Sequence, residues 1–327
     1  MNKRERLEAT IHGQAVDRVP VALWRHFPGD DQRPADLAAA TLAFQQRWDF
    51  DFVKVTPASS YCVRDWGAED IWLGNIEGTR DYTLRPVRAP EDWLALRVLD
   101  PQAGALGDQL RCLSLIRAEL PDTPIIQTIF NPLAQAKNLA GPDLIETLRT
   151  HPHAARHGLE TIAQTTVEFI RAARATGIDG IFYAVQHASA QLMSVSEYRE
   201  FGAEYDRRVL DEVGDLWLNV LHLHGDAVYF DLLSDYPVQV WNWHDRETPP
   251  DLKQGLAQVR GAVCGGIARD LTMLRGAPAS VTAEIEDAIQ QTNGRRLIVG
   301  TGCVTLIPSP EANLRAARSA VQSSHRA

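Results

Sequence analysis

Residues 216–226 read LWLNVLHLHGD, an apolar run that ends in His222-Leu223-His224-Gly225. Side chains alternate between the two faces of a strand, so His222 and His224 point the same way if the run is extended. Gly225 and Asp226 are turn residues, which puts both imidazoles at the C-terminal end of that strand. In a barrel of parallel strands, this is the end where catalytic sites are built.

Similar runs recur on either side. Upstream lie residues 20–24 (PVALW), 51–57 (DFVKVTP), 123–130 (TPIIQTIF) and 177–185 (GIDGIFYAV); downstream lie 238–245 (VQVWNWHD), 262–267 (AVCGGI) and 296–302 (RLIVGTG). With the histidine run they make eight strand candidates, nearly all followed by a helical pattern. Short, continuously apolar strands are expected when both faces are buried. Their alternation with helices predicts an α/β fold with a parallel sheet, and eight units predict a (β/α)8 TIM barrel. The competing doubly wound sheet is disfavoured because no GxGxxG or P-loop follows any strand. Residues 58–120 are less regular; they hold Tyr61, Trp66, Trp72, Trp93 and an alternating piece at 81–87, DYTLRPV. They are predicted to be a long insertion after the second strand, inside a single domain spanning 1–327.

Composition narrows the partners. Net charge is −9, from 33 basic and 42 acidic residues without a like-charged run, which argues against nucleic acid or an anionic membrane. No stretch of about 18 apolar residues occurs that could span a bilayer. The opening MNKRERLEATIHG lacks the apolar core of a signal peptide. Cys62, Cys112, Cys264 and Cys303 are scattered and form no CxxC, as in a reducing compartment. A cytoplasmic protein is the expectation.

On this scheme the strand ends present Trp24, Arg25 and His26; Lys54 and Thr56; Thr128 and Phe130; Gln186 and His187; His222 and His224; Asn242 and His244; Arg269; and Cys303. A mouth this rich in cations and imidazoles suits an anionic small-molecule substrate. His222, His224 and Cys303 together make three ligands with one position open, the requirement of a catalytic zinc site. The competing reading has the two histidines hydrogen-bonded within the barrel and Cys303 as a small buried residue. His244 and His187 are candidate acid/base groups, with Asn242 two residues before His244 on the same face and Asp245 available to orient its ring. Arg25 and Arg269 are candidates to clamp a carboxylate. Cys62, Cys112 and Cys264 are expected to be structural, and the tryptophans to be insertion core.

Several longer pieces, in their order and spacing, resemble the uroporphyrinogen decarboxylase superfamily, which includes zinc- and cobamide-linked methyltransferases. They are DRVPVALW, TPIIQTIFNPLAQAKNLAG, GIDGIFYA followed by LMSVSEYREF, LHLHG, GGIARDLTMLRGAPASV and VGTGCVTLIPSPEANLRA. The resemblance implies a (β/α)8 barrel with its site at the strand C-termini, and a homodimer. The decarboxylase branch carries paired arginines after the first strand and an aspartate after the second. Here those regions read WRHFPGDDQR and FVKVTPASS, with Arg25 present but Lys54 and Thr56 where an acid is expected. The methyltransferase branch holds zinc through a His-x-Cys pair and a distant Cys. His222 and Cys303 fall on the outer two of those ligands, and His224 replaces the middle cysteine. That replacement raises the site from neutral to about +1, making the metal a stronger Lewis acid and a bound thiolate a poorer nucleophile.

Three functions follow as expectations. The first is a zinc-dependent methyltransferase-like enzyme in which His222, His224 and Cys303 hold the metal and His244 or His187 handles protons. Arg25, Lys54, Gln186, Asn242 and Arg269 would bind substrate. No cobamide-binding DxHxxG segment is present, so any corrinoid arrives free or on a separate protein. The second is a metal-free carboxy-lyase acting on a polycarboxylate held by Arg25, Arg269 and Lys54. The third is a non-catalytic barrel that binds a small ligand.

Overall fold

The computed structural model describes residues 1–323, so the last four positions of the expected 1–327 domain lie outside the described residues. Nine strands occur among them: β1 (Val53–Val55), β2 (Glu69–Ile71), β3 (Asp81–Leu84), β4 (Ile125–Phe130), β5 (Gly180–Val185), β6 (Val220–Leu223), β7 (Val240–Trp243), β8 (Ala262–Ile267) and β9 (Leu297–Thr301). Seven form one parallel, curled sheet in the order β1-β4-β5-β6-β7-β8-β9, and β2 and β3 form a separate antiparallel hairpin. Every residue of the seven sheet strands is buried. Helices separate the strands in sequence and cover the sheet, which is why the strands read as unbroken apolar runs rather than alternating ones.

The expected first strand, residues 20–24, is not a regular strand. Val21 forms an isolated parallel bridge to Val299 on β9. The backbone there bonds in both directions: Val299 N donates to Pro20 O, Ala22 N to Val299 O, and Asp51 N to Val21 O. Pro20 has no N–H to donate, which leaves this segment short of a full ladder.

The stretch 58–120 is also more ordered than an insertion requires. A 16-residue helix, Gly104–Glu119, packs against the helix Pro34–Trp48 and leads to β4, so it is part of the α/β alternation. What remains is the β2–β3 hairpin and a short helix, Pro90–Ala95. Trp93 from that helix is 1% exposed. It reaches this depth because a Cβ at position 158 would lie 2.2 Å from its ring, so Gly158 on the helix Pro152–Arg174 leaves the necessary space. Trp66 is half-buried, with Nε1 donating to Arg97 O, while Trp72 lies at the surface.

Buried polar groups hold the layers in place. Asp206 is fully buried and accepts hydrogen bonds from Tyr183 (2.7 Å), Tyr198 (2.5 Å), Tyr236 (3.0 Å) and Asn131 (3.0 Å). Asn131 also caps the helix Pro132–Ala140, accepting from Ala134 N. One carboxylate thereby joins β5, two helices and the two connections that carry Asn131 and Tyr236. At the N-terminal side of the sheet, Asp51 accepts from Arg6, Arg18 and Val21 N, fastening the first helix, Lys3–Ile11, to the sheet. No helix among the described residues is long and apolar enough to cross a membrane.

Candidate metal centre

Strand pairing sets the frame of the site. His222 on β6 is in register with Asn242 on β7, and Asn242 with Cys264 on β8. The side chain of Asn242, fully buried, donates from Nδ2 to Cys264 O (2.8 Å) and Thr301 O (3.1 Å). Both donors are thus spent on carbonyls, and Oδ1 must face His222 Nδ1, 2.7 Å away. Since an amide oxygen only accepts, Nδ1 carries the proton and the Nε2 lone pair of His222 is left for another partner. The Phe182 ring stacks on His222 with centroids 5.0 Å apart, which fixes the plane of the imidazole.

His224 follows β6 by one residue and lies on the same side as His222, their ring centroids 5.6 Å apart. Cys303 lies two residues beyond β9, and its Sγ is 3.8 Å from His224 Nδ1. His244 follows β7 and joins the group, with centroids 5.3 Å from His224 and 6.1 Å from His222. One donor atom from each of His222, His224, His244 and Cys303 lies within 4.8 Å of all the others. His244 Nδ1 is 3.0 Å from Glu247 Oε2, whereas its Nε2 is buried and makes no hydrogen bond. Gly302 allows the approach, because a Cβ there would come within 2.6 Å of His244 Cα.

The residues fit a zinc-type ion on this chemistry. Three imidazoles and one sulfur, with no carboxylate among the donors, make a borderline-soft set suited to zinc. The 3.8 Å from Cys303 Sγ to His224 Nδ1 is close to the roughly 3.6 Å between tetrahedral sulfur and nitrogen ligands at ordinary zinc distances. His222 and His244 each have one ring nitrogen held by a side chain and the other free, as metal-bound histidines do. Electrostatics agree: burial pushes the Cys303 thiol up, but the imidazoles of His222, His224 and His244 gathered around it outweigh burial and hold the thiol well below its usual range. A thiolate is the form a metal needs.

The other expected residues are distributed around this centre. Lys54 is buried on β1, its Nζ 4.5 Å from the Phe182 centroid and 5.9 Å from that of Trp24. Burial brings its pKa down to about 7, opposed by Cys303. His187 is buried with Nδ1 unpaired, and burial, with Lys137 and His224 nearby, lowers it to about 4. Arg269, two residues past β8, is ion-paired with Glu77 from the connection between β2 and β3. Arg25 donates to Ile307 O and lies over Phe27. Gln186 is half-buried just beyond β5.

Three residues sit differently from what the sequence suggested. His244 was expected to handle protons apart from the metal, but its ring is a fourth member of the donor group. Asn242 was expected to bind substrate, but its amide is committed to His222, Cys264 and Thr301. Asp245 does not orient His244 either: both its oxygens accept from Gly266 N, and Glu247 takes the ring. Sequence reasoning gave no role to His26, which is buried with Nδ1 unpaired, or to Glu247 and Phe182. The Asn242-x-His244 spacing beside His222-x-His224 was the available signal, since two HxH-type pairs on neighbouring strands can meet across the ladder. Cys62, Cys112 and Cys264 are buried free thiols, as expected of structural cysteines.

The sequence matches the uroporphyrinogen decarboxylase (URO-D) family over residues 2–324, and the chain belongs to that family. It is 32% identical over 156 residues to the uroporphyrinogen decarboxylase of Saccharopolyspora erythraea, a match covering 45% of this chain and 42% of that protein. The chain thus spans less than half the length of that relative. It is 27% identical over 351 residues to the methylated-thiol–coenzyme M methyltransferase of Methanosarcina mazei, covering 97% of this chain and 88% of that protein. Among solved structures, a methyltransferase from Methanosarcina mazei superposes with a TM-score of 0.86 at 20% identity, covering 99% of both chains. A B12-independent methionine synthase from Shewanella superposes with a TM-score of 0.59 at 14% identity, covering 97% of this chain and 96% of that one. At these identities the superpositions show a shared fold.

Proposed function

We propose that this chain is a zinc-dependent methyltransferase-like enzyme, with His222, His224 and Cys303 holding the metal and His244 in the same sphere. The reading rests on four donor atoms, brought from the ends of β6, β7 and β9, lying within 4.8 Å of one another. Zinc held there supplies Lewis acidity to an acceptor such as a thiol. The chain's own groups do the rest. Asn242 and Glu247 orient two of the imidazoles. His187, buried with Nδ1 unpaired, is the candidate left for the proton step. Lys54, Arg25, Gln186 and Arg269 are the groups this reading assigns to an anionic substrate. The methyl donor that fits this reading is a corrinoid carried by a partner protein. We also read the sheet as closing into a (β/α)8 barrel through residues 20–24, which bond to β9 on one side and to Asp51 on the other.

Chelator-treated protein titrated with zinc tests this reading: one ion per chain is expected, with thiol methylation restored when a methylcorrinoid donor is supplied. A protein that stays metal-free in excess zinc would end it. The partial match to decarboxylases, together with buried Lys54, supports a second reading as a carboxy-lyase. It expects carbon dioxide release from a polycarboxylate that survives chelation.

A further inference from the structure

The connection from β2 to β3, residues 72–80, stands on the mouth at three points. Ile307 N donates to Ile76 O (2.8 Å), and Glu77 is ion-paired with Arg269. Gly78, at φ 82°, lies so close to the first-strand segment that a Cβ would come 2.6 Å from His26 Cβ. These footholds come from three separate parts of the chain and surround one sulfur. His26 and Arg269 both lie in the field of Cys303, and Ile307 follows it by four residues. Of the four cysteines, Cys303 alone is not buried.

The two ends of this hairpin are held unequally. At its base the nearly buried Arg80 sits between the buried carboxylates of Asp70 and Asp31. At its tip the Glu77–Arg269 pair is open to water, with side-chain exposures of 34% and 17%, and Ile71, Leu73 and Ile76 face solvent instead of a core. The tip also carries its own shape. Asn75 Oδ1 accepts from Gly78 N (2.9 Å) and Thr79 N (3.1 Å), and its Nδ2 donates to Thr79 O (2.6 Å). A turn that satisfies its own backbone can lift without unfolding. Closure has a cost as well: His26 Nδ1 and Arg269 Nη1, on two of the footholds, are buried without a hydrogen-bond partner. Water relieves that penalty once the turn lifts, so the closed form is favoured by little.

We propose that residues 72–80 are a latched lid beside Cys303, held shut at the tip by the Glu77–Arg269 ion pair and lifting as a body when that pair parts. The buried Arg80 anchor is its fixed end, and the self-bonded turn at Asn75 is its moving end. This rests on the proposed function only in taking the donor cluster as what the lid guards. The rate at which a small molecule reaches the sulfur is then set by one ion pair that touches none of the four donors.

The test labels metal-free protein with N-ethylmaleimide, an uncharged reagent, and follows each cysteine by peptide mass spectrometry. Glu77→Gln should label Cys303 about two- to fivefold faster than wild type, the effect of one partly exposed ion pair on the open population. The gap should narrow in about 0.5 M salt, which screens the pair in the wild type alone. Gly78→Ala, which lifts the turn by a clash with His26 rather than by charge, should also speed the reaction. An unchanged or slower Cys303 rate in Glu77→Gln would overturn the latch, whatever Gly78→Ala does. Acceleration shared by Cys62, Cys112 and Cys264 would mean general loosening and would overturn it equally. The labelling needs no ion, so a chain that takes up no zinc would defeat the metal reading and leave the lid to be judged by these rates.

Discussion

Two places in this molecule draw four polar side chains to a single point, and they end differently. Around Asp206, three phenols and an amide donate to one carboxylate, so donors and acceptor answer each other. Around Cys303, three imidazoles face a sulfur, with His244 Nε2 unpaired and the His222 Nε2 lone pair unclaimed by Asn242. Convergence alone does not mark a functional site. The lesson is in the remainder: a structural hub satisfies itself, and a binding site holds donor capacity in reserve.

The largest expected effect of a single substitution breaks the hub. Asp206→Ala leaves three buried hydroxyls and an amide without their acceptor, and should cost about 3–5 kcal/mol in denaturant unfolding. Zinc affinity per folded molecule should stay close to wild type. A variant with near-native stability would show the hub to be dispensable. Asn242→Ala probes the other centre. It releases the His222 ring and should weaken zinc binding by about 10–100-fold, measured by chelator competition. If Asn242 served substrate instead, zinc affinity would hold while substrate affinity fell.

The third comparison is a slope with pH. The folded Lys54 has a pKa near 7 against an ordinary value of 10.5, so between these values the unfolded chain binds more protons. Stability of the metal-free protein from this group should therefore rise with pH from about 7 towards 10.5, by an amount on the order of a few kcal/mol. Below pH 7 the group contributes no slope. Denaturant midpoints across that window, compared with Lys54→Met, read it directly; identical slopes would mean that burial does not hold the lysine's pKa down.

Much of this was legible because period and spacing carry it. The unbroken apolar runs gave seven parallel strands, and the His-x-His spacing put two rings on one side of β6. Cys303 could be placed because it closely follows a strand. What escaped depended on contacts across strands. His244 enters the cluster because Gly302 lets the β9 turn lie against its backbone, and no local pattern reports that distance. The purpose of Asn242 depends on its being level with His222 and on two carbonyls that hold its amide. Residues 20–24 look like a strand by composition, yet Pro20 lacks the N–H a ladder would use. Residues 104–119 were absorbed into an insertion because no strand directly precedes the helix they form.

Gly302 touches no ion and has no functional group, yet where it stands the sulfur's address is written in main-chain atoms. The same holds for the level rungs that carry the histidines. Donor identity can then be exchanged one side chain at a time without rebuilding the support beneath it. In such a framework the softness and charge of the ligand set become adjustable parts, and chains of this lineage can retune their reactivity while the architecture stays still.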